Sequence, residues 1–341
     1  MFYAAVNALG NEEQRKKWIP LIRQHKILGC YAQTEIGHGS DVSRLETTAT
    51  LDKATDEFVI HSPTLTSTKF WPGDMGRFTT HALVFARLLI DGKDYGVQAF
   101  VVQTRDVDTF KHMKGVKTGD MGHKVGYQSK DNGWASFDHV RIPRANMMMR
   151  IVNIDKDGNF DLRGDPKVLY TTMMLIRQII ISDMPQLSMR ALLVAIRYAS
   201  CRRQFKTLQG SKNERKVIDY QTWQASITPL LAKTIGFLFV SHHVKEEFRT
   251  MYEQVQQGEF GKLDVMHHIL AGLKALFSEE GIIMIDIARR STGGAGYLSG
   301  SGFNEIMEQA SPVPTFEGDN TVMLLQSSRY VFKLVKKAKK G

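Results

Sequence analysis

The chain has 341 residues, of which 43% are hydrophobic and 23% are charged. This composition is typical of a globular protein and is too apolar for a disordered one, and the length corresponds to about two domains. No uninterrupted apolar run approaches the roughly 18 residues that a membrane span needs, so we expect no membrane-spanning segment. The two cysteines, Cys30 and Cys201, lack the spacing of a metal site, and we expect no bound metal.

The formal net charge of +10 suits an anionic partner but does not identify one. Half of this excess of positive charge comes from five lysines between residues 333 and 340. These lysines form a tail without interleaved aromatic residues, so we do not expect nucleic-acid binding.

The first predicted element is a short polar helix over residues 12–25, which Pro20 should kink or restart because proline lacks the N–H that a helix interior uses. From about residue 31 to residue 150, short alternating or β-branched runs are separated by Gly, Pro, Asp and Asn. This pattern predicts an antiparallel, barrel-like β domain. The strand-like runs are 46–51, 57–62, 81–90, 95–104 and 134–142.

After Pro166 the pattern becomes helical. Apolar residues recur at helical spacing along segments long enough to predict four helices, and four packed helices form a bundle. We therefore predict an α+β protein in which a β domain precedes an α-helical bundle. The predicted helices lie within 168–203, 216–257, 264–290 and 319–337.

Two stretches of the predicted β region could face a flat ligand. Residues 31–41 (YAQTEIGHGSD) combine small residues, which let the backbone approach a ligand closely, with hydroxyl and N–H donors. Residues 62–76 place Trp71 beside a Pro-Gly pair, and an indole can form a wall for a planar ring. The structural alternatives are a polar turn for the first stretch and a strand end with a buried tryptophan for the second.

Two stretches of the helical region could bind a phosphorylated ligand. The arginines of 198–205 (YASCRRQF) could clamp a pyrophosphate, or could simply interact with the dipole at a helix C-terminus. The glycine cluster of 291–302 (STGGAGYLSGSG) could approach a nucleotide, or could form only a helix cap and a loop.

Glu317 lies in a tight Phe-Glu-Gly unit just before the last predicted helix. A carboxylate near a helix N-terminus is electrostatically favourable, which is a sufficient structural reason for it. The functional alternative is a general base whose pKa is raised by apolar neighbours.

Together these stretches resemble the acyl-CoA oxidases, the flavoproteins that open peroxisomal fatty-acid β-oxidation. The resemblance runs from about residue 5 to about residue 335. The related acyl-CoA dehydrogenases share only some of these sequence motifs. The matching segments are YAQTEIGHGSD with LETTAT (31–50), SPTLTSTKFWPG (62–73), DNGWASFDHVRIPRANMMMR (131–150), YASCRRQF (198–205), GGAGY (293–297) and TFEGDNTVMLLQ (315–326).

The resemblance implies an activity. In that family a glutamate removes the α-proton of a fatty acyl-CoA thioester, hydride leaves the β-carbon for FAD, and O2 takes the electrons to give H2O2 and trans-2-enoyl-CoA. By its motif, Glu317 is the implied base, with its own backbone N–H helping to polarise the thioester carbonyl. The implied cofactor is therefore FAD.

The resemblance also implies residue contacts in the predicted β domain. Gln33 and Thr34 match the segment that holds the flavin ring. Trp71 and Gly73 match the segment that forms the second wall of the flavin-ring site.

Further contacts are implied in the helical region. Arg202, Gln204, Gly293 and Gly294 match segments that reach the FAD of a neighbouring subunit, which implies a homodimer. Arg177 lies 25 residues before Arg202, as does a CoA-contacting arginine in the dehydrogenases, and is the candidate substrate contact.

Family proteins carry one helical domain before the β domain and another after the position of residue 341. We therefore expect residues 1–30 to be a remnant of the first helical domain, 31–150 the β domain and 151–341 the helical domain with the catalytic Glu. The implied location is the peroxisome, although the chain ends in AKKG, which is not a peroxisomal address. Two alternatives stay open: a dehydrogenase that uses an electron-transfer flavoprotein, and a truncated paralogue that binds acyl-CoA or a partner without turnover.

Overall fold

The computed structural model describes residues 1–164, 171–206 and 212–339. The chain divides into two compact units: Met1–Lys124 with Gln128–Thr172, and Val125–Tyr127 with Met173–Gly341. The domain boundaries expected from the sequence stay predictions. The expected change of pattern at Pro166 lies outside the described residues.

The first unit begins with two helices, α1 (Phe2–Leu9) and α2 (Glu12–Arg23). A reciprocal pair of hydrogen bonds between Asn11 and Gln14 caps the start of α2. The helix continues through Pro20 instead of restarting there. Pro20 lies in the last turn, so the N–H that it lacks removes a hydrogen bond only where the helix is about to end.

Eleven strands follow in the described part of this unit, and they form three sheets. The largest sheet has the order β1-β5-β2-β3-β9, with β6 also paired to β5; β4-β8-β7 and β10-β11 form the smaller sheets. The strands are β1 (Gly29–Ala32), β2 (Thr48–Asp52), β3 (Glu57–His61), β4 (Lys69–Gly73), β5 (His81–Ile90), β6 (Lys93–Gln103), β7 (Val116–Asp120), β8 (Asn132–Phe137), β9 (Val140–Pro143), β10 (Val152–Ile154) and β11 (Phe160–Leu162).

The large sheet is mixed, which corrects the expectation of an antiparallel sheet for two of its strand pairs. Strands β1 and β2 both run parallel to β5, whereas β6 pairs with β5 antiparallel. The alternation of apolar and polar residues reports which face of a strand is buried, and it carries no information on the direction of the neighbouring strand. Phe58 and Phe100 pack edge to face in the core of this unit, with ring centroids 5.1 Å apart.

The second unit is helical, which confirms the predicted α+β class. Small residues allow α5 and α7 to approach closely: Ala271 and Ala275 pack against Met323. Phe237 stacks on Phe277 between α4 and α5, with centroids 3.9 Å apart. The helices are α3 (Thr171–Cys201), α4 (Gln221–Gln256), α5 (Leu263–Arg290), α6 (Phe303–Ala310) and α7 (Asn320–Ala338), and a ribbon of β12 (Arg203–Lys206) and β13 (Glu214–Lys216) lies between α3 and α4 in the chain.

Two helices bear on the expectation that the chain has no membrane-spanning segment. By length and composition alone, α3 and α4 are both apolar enough to cross a membrane, because an average over a window tolerates the polar residues that interrupt an apolar run. Half of the most apolar window of α3 is buried inside the protein, but only 22% of that of α4. This is weak evidence for a span, since core helices of soluble proteins pass the same test.

Candidate active site

Glu317 lies in the turn that leads into α7, and its backbone is in an unusual conformation. Its φ is 57°, and that of Gly318 is 103°. A left-handed backbone costs a residue with a Cβ atom about 1–2 kcal/mol, so neighbouring groups must hold it. The φ of Gly318 is one that a residue with a Cβ atom rarely adopts, which explains why glycine follows Glu317.

Arg177 holds the turn from α3. Its Nε donates a hydrogen bond to the Glu317 carbonyl oxygen at 3.1 Å, and its Nη1 lies 3.1 Å from His267 Nε2. Burial, together with the Arg177 charge, lowers the pKa of His267 to about 4. At neutral pH the imidazole is therefore uncharged and can accept a hydrogen bond from the guanidinium. The structure thus brings Arg177 and Glu317 together, and substrate contact by Arg177 stays a prediction.

Lys274 holds the same turn from α5. The lysine has no solvent-exposed surface. Its Nζ donates to Gly318 O at 2.7 Å, to Asn320 Oδ1 at 3.0 Å and to Pro314 O at 3.2 Å. All three N–H donors of the ammonium are therefore used on one short segment, residues 314–320.

The surroundings of Glu317 favour its protonated form. Desolvation raises the pKa of the carboxyl, and the positive charges of Arg177 and Lys274 act in the opposite direction. Glu317 as a residue is only half-buried, so part of its surface still reaches solvent. A carboxyl that is desolvated but reachable, with a raised pKa, has the properties of a general base.

The flavin-ring candidates Gln33 and Thr34 follow β1 in the first unit, where a buried ion pair fixes them. Lys69 Nζ donates to Glu35 Oε1 at 2.8 Å and to the Gln33 carbonyl oxygen at 3.1 Å. Phe70 N donates to the Thr34 carbonyl oxygen at 2.9 Å. The backbone of both candidate residues is therefore anchored to β4.

Glu35 itself is fully satisfied. It accepts hydrogen bonds from the amides of Glu46 and Thr47, at 2.7 and 3.0 Å, and from the Thr47 hydroxyl at 2.6 Å. Both Lys69 and Glu35 are buried. The Thr-Glu motif thus has a structural reason for its glutamate, which is to anchor the loop.

Trp71 and Gly73 lie on β4, where its pairing with β8 is irregular. Trp71 has a φ of 82° and leaves 54% of its surface exposed, and Asn132 Nδ2 donates to its carbonyl oxygen at 2.8 Å. The alternative of a buried tryptophan is therefore wrong. A side chain at residue 73 would place its Cβ 2.6 Å from Lys130 Cε, so glycine leaves room there for the lysine.

The remaining candidates lie on exposed elements of the second unit. Arg202 directly follows α3, and Gln204 belongs to β12, where its carbonyl oxygen accepts from Tyr220 Oη at 2.6 Å. Gly293 and Gly294 begin a 3-10 turn, and a Cβ on either would meet nothing within 4 Å. Within the described ranges, no hydrogen bond or ion pair joins these four residues to Glu317.

Sequence reasoning missed Lys69 and Lys274. A signal for Lys274 was present: it lies four residues after Leu270 and three before Phe277, on the buried face of an apolar helix. A charged residue on such a face is rare unless it is paired. Its partners could not be identified, because they lie 40 to 46 positions later in the chain.

Three side chains of the first unit, His61, Asp138 and His139, form a group that could hold a metal ion, with candidate ligand atoms all within 4.8 Å of one another. The expectation of no metal rested on cysteine spacing, which does not report on histidines. It stays a prediction.

Two family models match the chain. The acyl-CoA dehydrogenase middle domain matches residues 30–140, and the acyl-CoA oxidase C-alpha1 domain matches residues 170–332. Similar curated proteins include peroxisomal acyl-coenzyme A oxidase 1 of Arabidopsis thaliana, 44% identical over 98% of this chain and 51% of the relative. Peroxisomal acyl-coenzyme A oxidase 1 of Rattus norvegicus is 39% identical over 100% of this chain and 51% of the relative. The chain thus spans about half the length of these relatives.

Solved structures agree in fold. Arabidopsis thaliana acyl-CoA oxidase 1 has a TM-score of 0.95 at 43% identity, covering 99% of this chain and 52% of that one. Acyl-CoA oxidase-2 of Caenorhabditis elegans, bound with FAD, ascaroside-CoA and ATP, has a TM-score of 0.95 at 37% identity over the same shares.

Proposed function

The chain belongs to the acyl-CoA oxidase family, and from that premise we propose that it carries the base and the flavin contacts of a peroxisomal, FAD-dependent acyl-CoA oxidase. The proposed reaction oxidises a fatty acyl-CoA to trans-2-enoyl-CoA and reduces O2 to H2O2. The peroxisome is proposed because the curated relatives are named peroxisomal.

The observation that carries the proposal is the setting of Glu317. The α-proton of a thioester is far too weakly acidic for an ordinary carboxylate in water. Desolvation raises the pKa of Glu317, which makes the carboxylate a stronger base once it is deprotonated. Arg177 and Lys274 hold the backbone of the turn, so this segment does not have to be ordered at the moment of reaction.

The thioester carbonyl must be polarised while the proton leaves. Among the described residues, no acceptor is hydrogen-bonded to the amide N–H of Glu317. This N–H can therefore donate to the substrate carbonyl, as an oxyanion-hole donor does. Proton acceptor and carbonyl donor would then belong to one residue, whose conformation sets both.

Residues of the first unit fit a flat cofactor ring. Proteins usually bury most of a tryptophan, yet Trp71 is 54% exposed on an irregular strand, and the Gln33–Thr34 backbone is fixed by buried contacts. Gln33 and Thr34 would hold one edge of the ring and Trp71 would form a wall. FAD, when bound, supplies the acceptor for the hydride from the β-carbon.

A peroxide assay tests the proposed function. Purified chain reconstituted with FAD should be yellow, and palmitoyl-CoA should bleach it under anaerobic conditions and give H2O2 in air. A flavin-loaded chain that acyl-CoA does not bleach would contradict the proposal. A chain that binds no flavin would favour the non-catalytic paralogue.

A second candidate function is acyl-CoA dehydrogenation. It is favoured by the match of residues 30–140 to the dehydrogenase middle domain. Both functions predict anaerobic bleaching. They differ in how the reduced flavin is reoxidised. If the chain is a dehydrogenase, air should reoxidise the bleached protein slowly, and an electron-transfer flavoprotein should reoxidise it rapidly.

A further inference from the structure

The contacts of Lys274 bear directly on the conformation of the candidate base. The lysine is a fully buried cation on α5, and its three hydrogen bonds all end on residues 314–320. Arg177 reaches the Glu317 carbonyl oxygen from α3, so the turn is held from two helices. We propose that Lys274 is a positioning residue for Glu317: its ammonium fixes the turn that keeps the base in its left-handed conformation.

The geometry explains why a lysine is needed at this position. The three acceptors are two backbone carbonyls and the Asn320 amide oxygen, and they converge on one point within 2.7–3.2 Å. An ammonium is a compact cation with three donors that can be arranged around a point, whereas a guanidinium is a planar fork. Asn320 is in turn tied to α5, because its Nδ2 lies 3.0 Å from Ser278 Oγ. The carbonyl of the residue next to Glu317, Gly318, makes the shortest of the three contacts.

The Lys274 charge also acts on the base. Together with Arg177, it opposes the desolvation that raises the pKa of Glu317. The other charged groups that act on Lys274 are Asp319, beside the base, and Glu279, on α5 itself. Removing the lysine charge should therefore raise the pKa of Glu317 further and move the acidic limb of its rate profile to higher pH.

This inference rests on the proposed function, and the experiment separates the two. Lys274→Met removes the charge and the donors but keeps an unbranched side chain. Lys233→Met is the matched control, because Lys233 pairs at 2.7 Å with Glu280 at a partly exposed site. We would measure anaerobic flavin reduction by palmitoyl-CoA from pH 5 to pH 9 for wild type and both variants.

We expect Lys274→Met to retain FAD and to reduce it on the order of 10- to 100-fold more slowly, since a small misplacement of a reacting group has that effect. We also expect its acidic limb to shift to higher pH, while Lys233→Met follows wild type. A purely structural role would lower the rate without moving the limb. Wild-type rates and an unshifted limb in Lys274→Met would overturn the inference while leaving the proposed function intact; an unreactive wild type would overturn the proposed function.

Hydrogen exchange gives a readout that needs no activity. The amides of residues 315–323 should exchange faster in Lys274→Met than in wild type, and those of β5 should not change. Lys274→Arg, which keeps the charge but not the geometry, should show the same local effect if the methionine variant does not fold. Unchanged exchange across this turn in the folded variant would contradict the inference.

Discussion

Glu317 shows how one residue combines backbone geometry with charge. Its left-handed backbone is held by Arg177 and Lys274, and burial favours the protonated carboxyl. The two cations oppose that effect of burial, and they also fix the turn. The same two side chains therefore fix the backbone of the candidate base and oppose the rise in its pKa.

Glu317→Gln should abolish most of the turnover. Glutamine keeps the shape of the side chain but cannot accept the α-proton, and loss of a general base costs roughly 10²–10⁴-fold. Stopped-flow measurement of anaerobic bleaching by palmitoyl-CoA checks this, with the flavin spectrum as the control for cofactor retention. Bleaching within tenfold of wild type would remove Glu317 from the mechanism.

The pH dependence of stability should also report Glu317. Its pKa is higher in the folded protein than in the unfolded chain, so its contribution to stability is fully present below the unfolded pKa and is lost as the pH rises through the folded value. The glutamine variant does not titrate. It should therefore gain stability relative to wild type as the pH rises from 4 to 8, as measured by Tm. A helix N-terminal charge would give the opposite trend.

At the scale of elements, each unit uses a buried lysine to fix a loop that carries candidate site residues. In the first unit, Lys69 on β4 ties down the loop of Gln33 and Glu35. Burial lowers the pKa of Lys69 to about 8, with the Glu35 charge acting against the shift. In the second unit, Lys274 on α5 ties down the turn before α7 in the same way.

Lys69→Met should destabilise the first unit strongly. It leaves the Glu35 carboxylate buried without its cation, and breaking a buried pair costs about 3–5 kcal/mol. Lys130→Met is the matched control, because Lys130 and Asp74 form a half-exposed pair at 2.7 Å, worth at most about 1 kcal/mol. Urea unfolding measures both. Equal decreases in the free energy of unfolding in the two variants would show that the buried Lys69 pair stabilises the protein no more than the half-exposed pair.

At the scale of the whole molecule, we propose that the FAD-loaded chain is a homodimer. Arg202, Gln204, Gly293 and Gly294 are placed on exposed elements, and among the described residues no acidic side chain forms an ion pair with Arg202. An exposed arginine and an exposed glycine backbone are both suited to contact a ligand held by a second copy, and a twofold axis would repeat the contacts.

Light scattering of the FAD-loaded chain should give twice the mass of one chain. Arg202→Ala should weaken FAD binding about tenfold or more, since charge-assisted hydrogen bonds to phosphate are among the stronger polar contacts. Arg249→Ala, which removes an exposed arginine paired with Glu246 and Glu253, is the control. A yellow monomer would contradict the proposed dimer.

The sequence by itself determined the α+β class, the four long helices and most of the long strands, because burial periodicity is a local property. Its motifs indicated the family, which the comparisons confirmed, and they identified Glu317 and Trp71 as candidates. The helix cap at Asn11 is also a local feature, because its partner Gln14 lies only three residues away.

Only the tertiary structure decided the parallel pairing of β1 and β2 with β5, the exposure of Trp71 and the contacts of the buried lysines that hold the candidate loops. Each of these depends on contacts between residues far apart in the chain. Lys274 contacts residues 40 to 46 positions away, and Lys69 contacts Gln33, 36 positions away. A local pattern can show that a charge lies on an apolar face, but the folded chain alone determines which groups satisfy it.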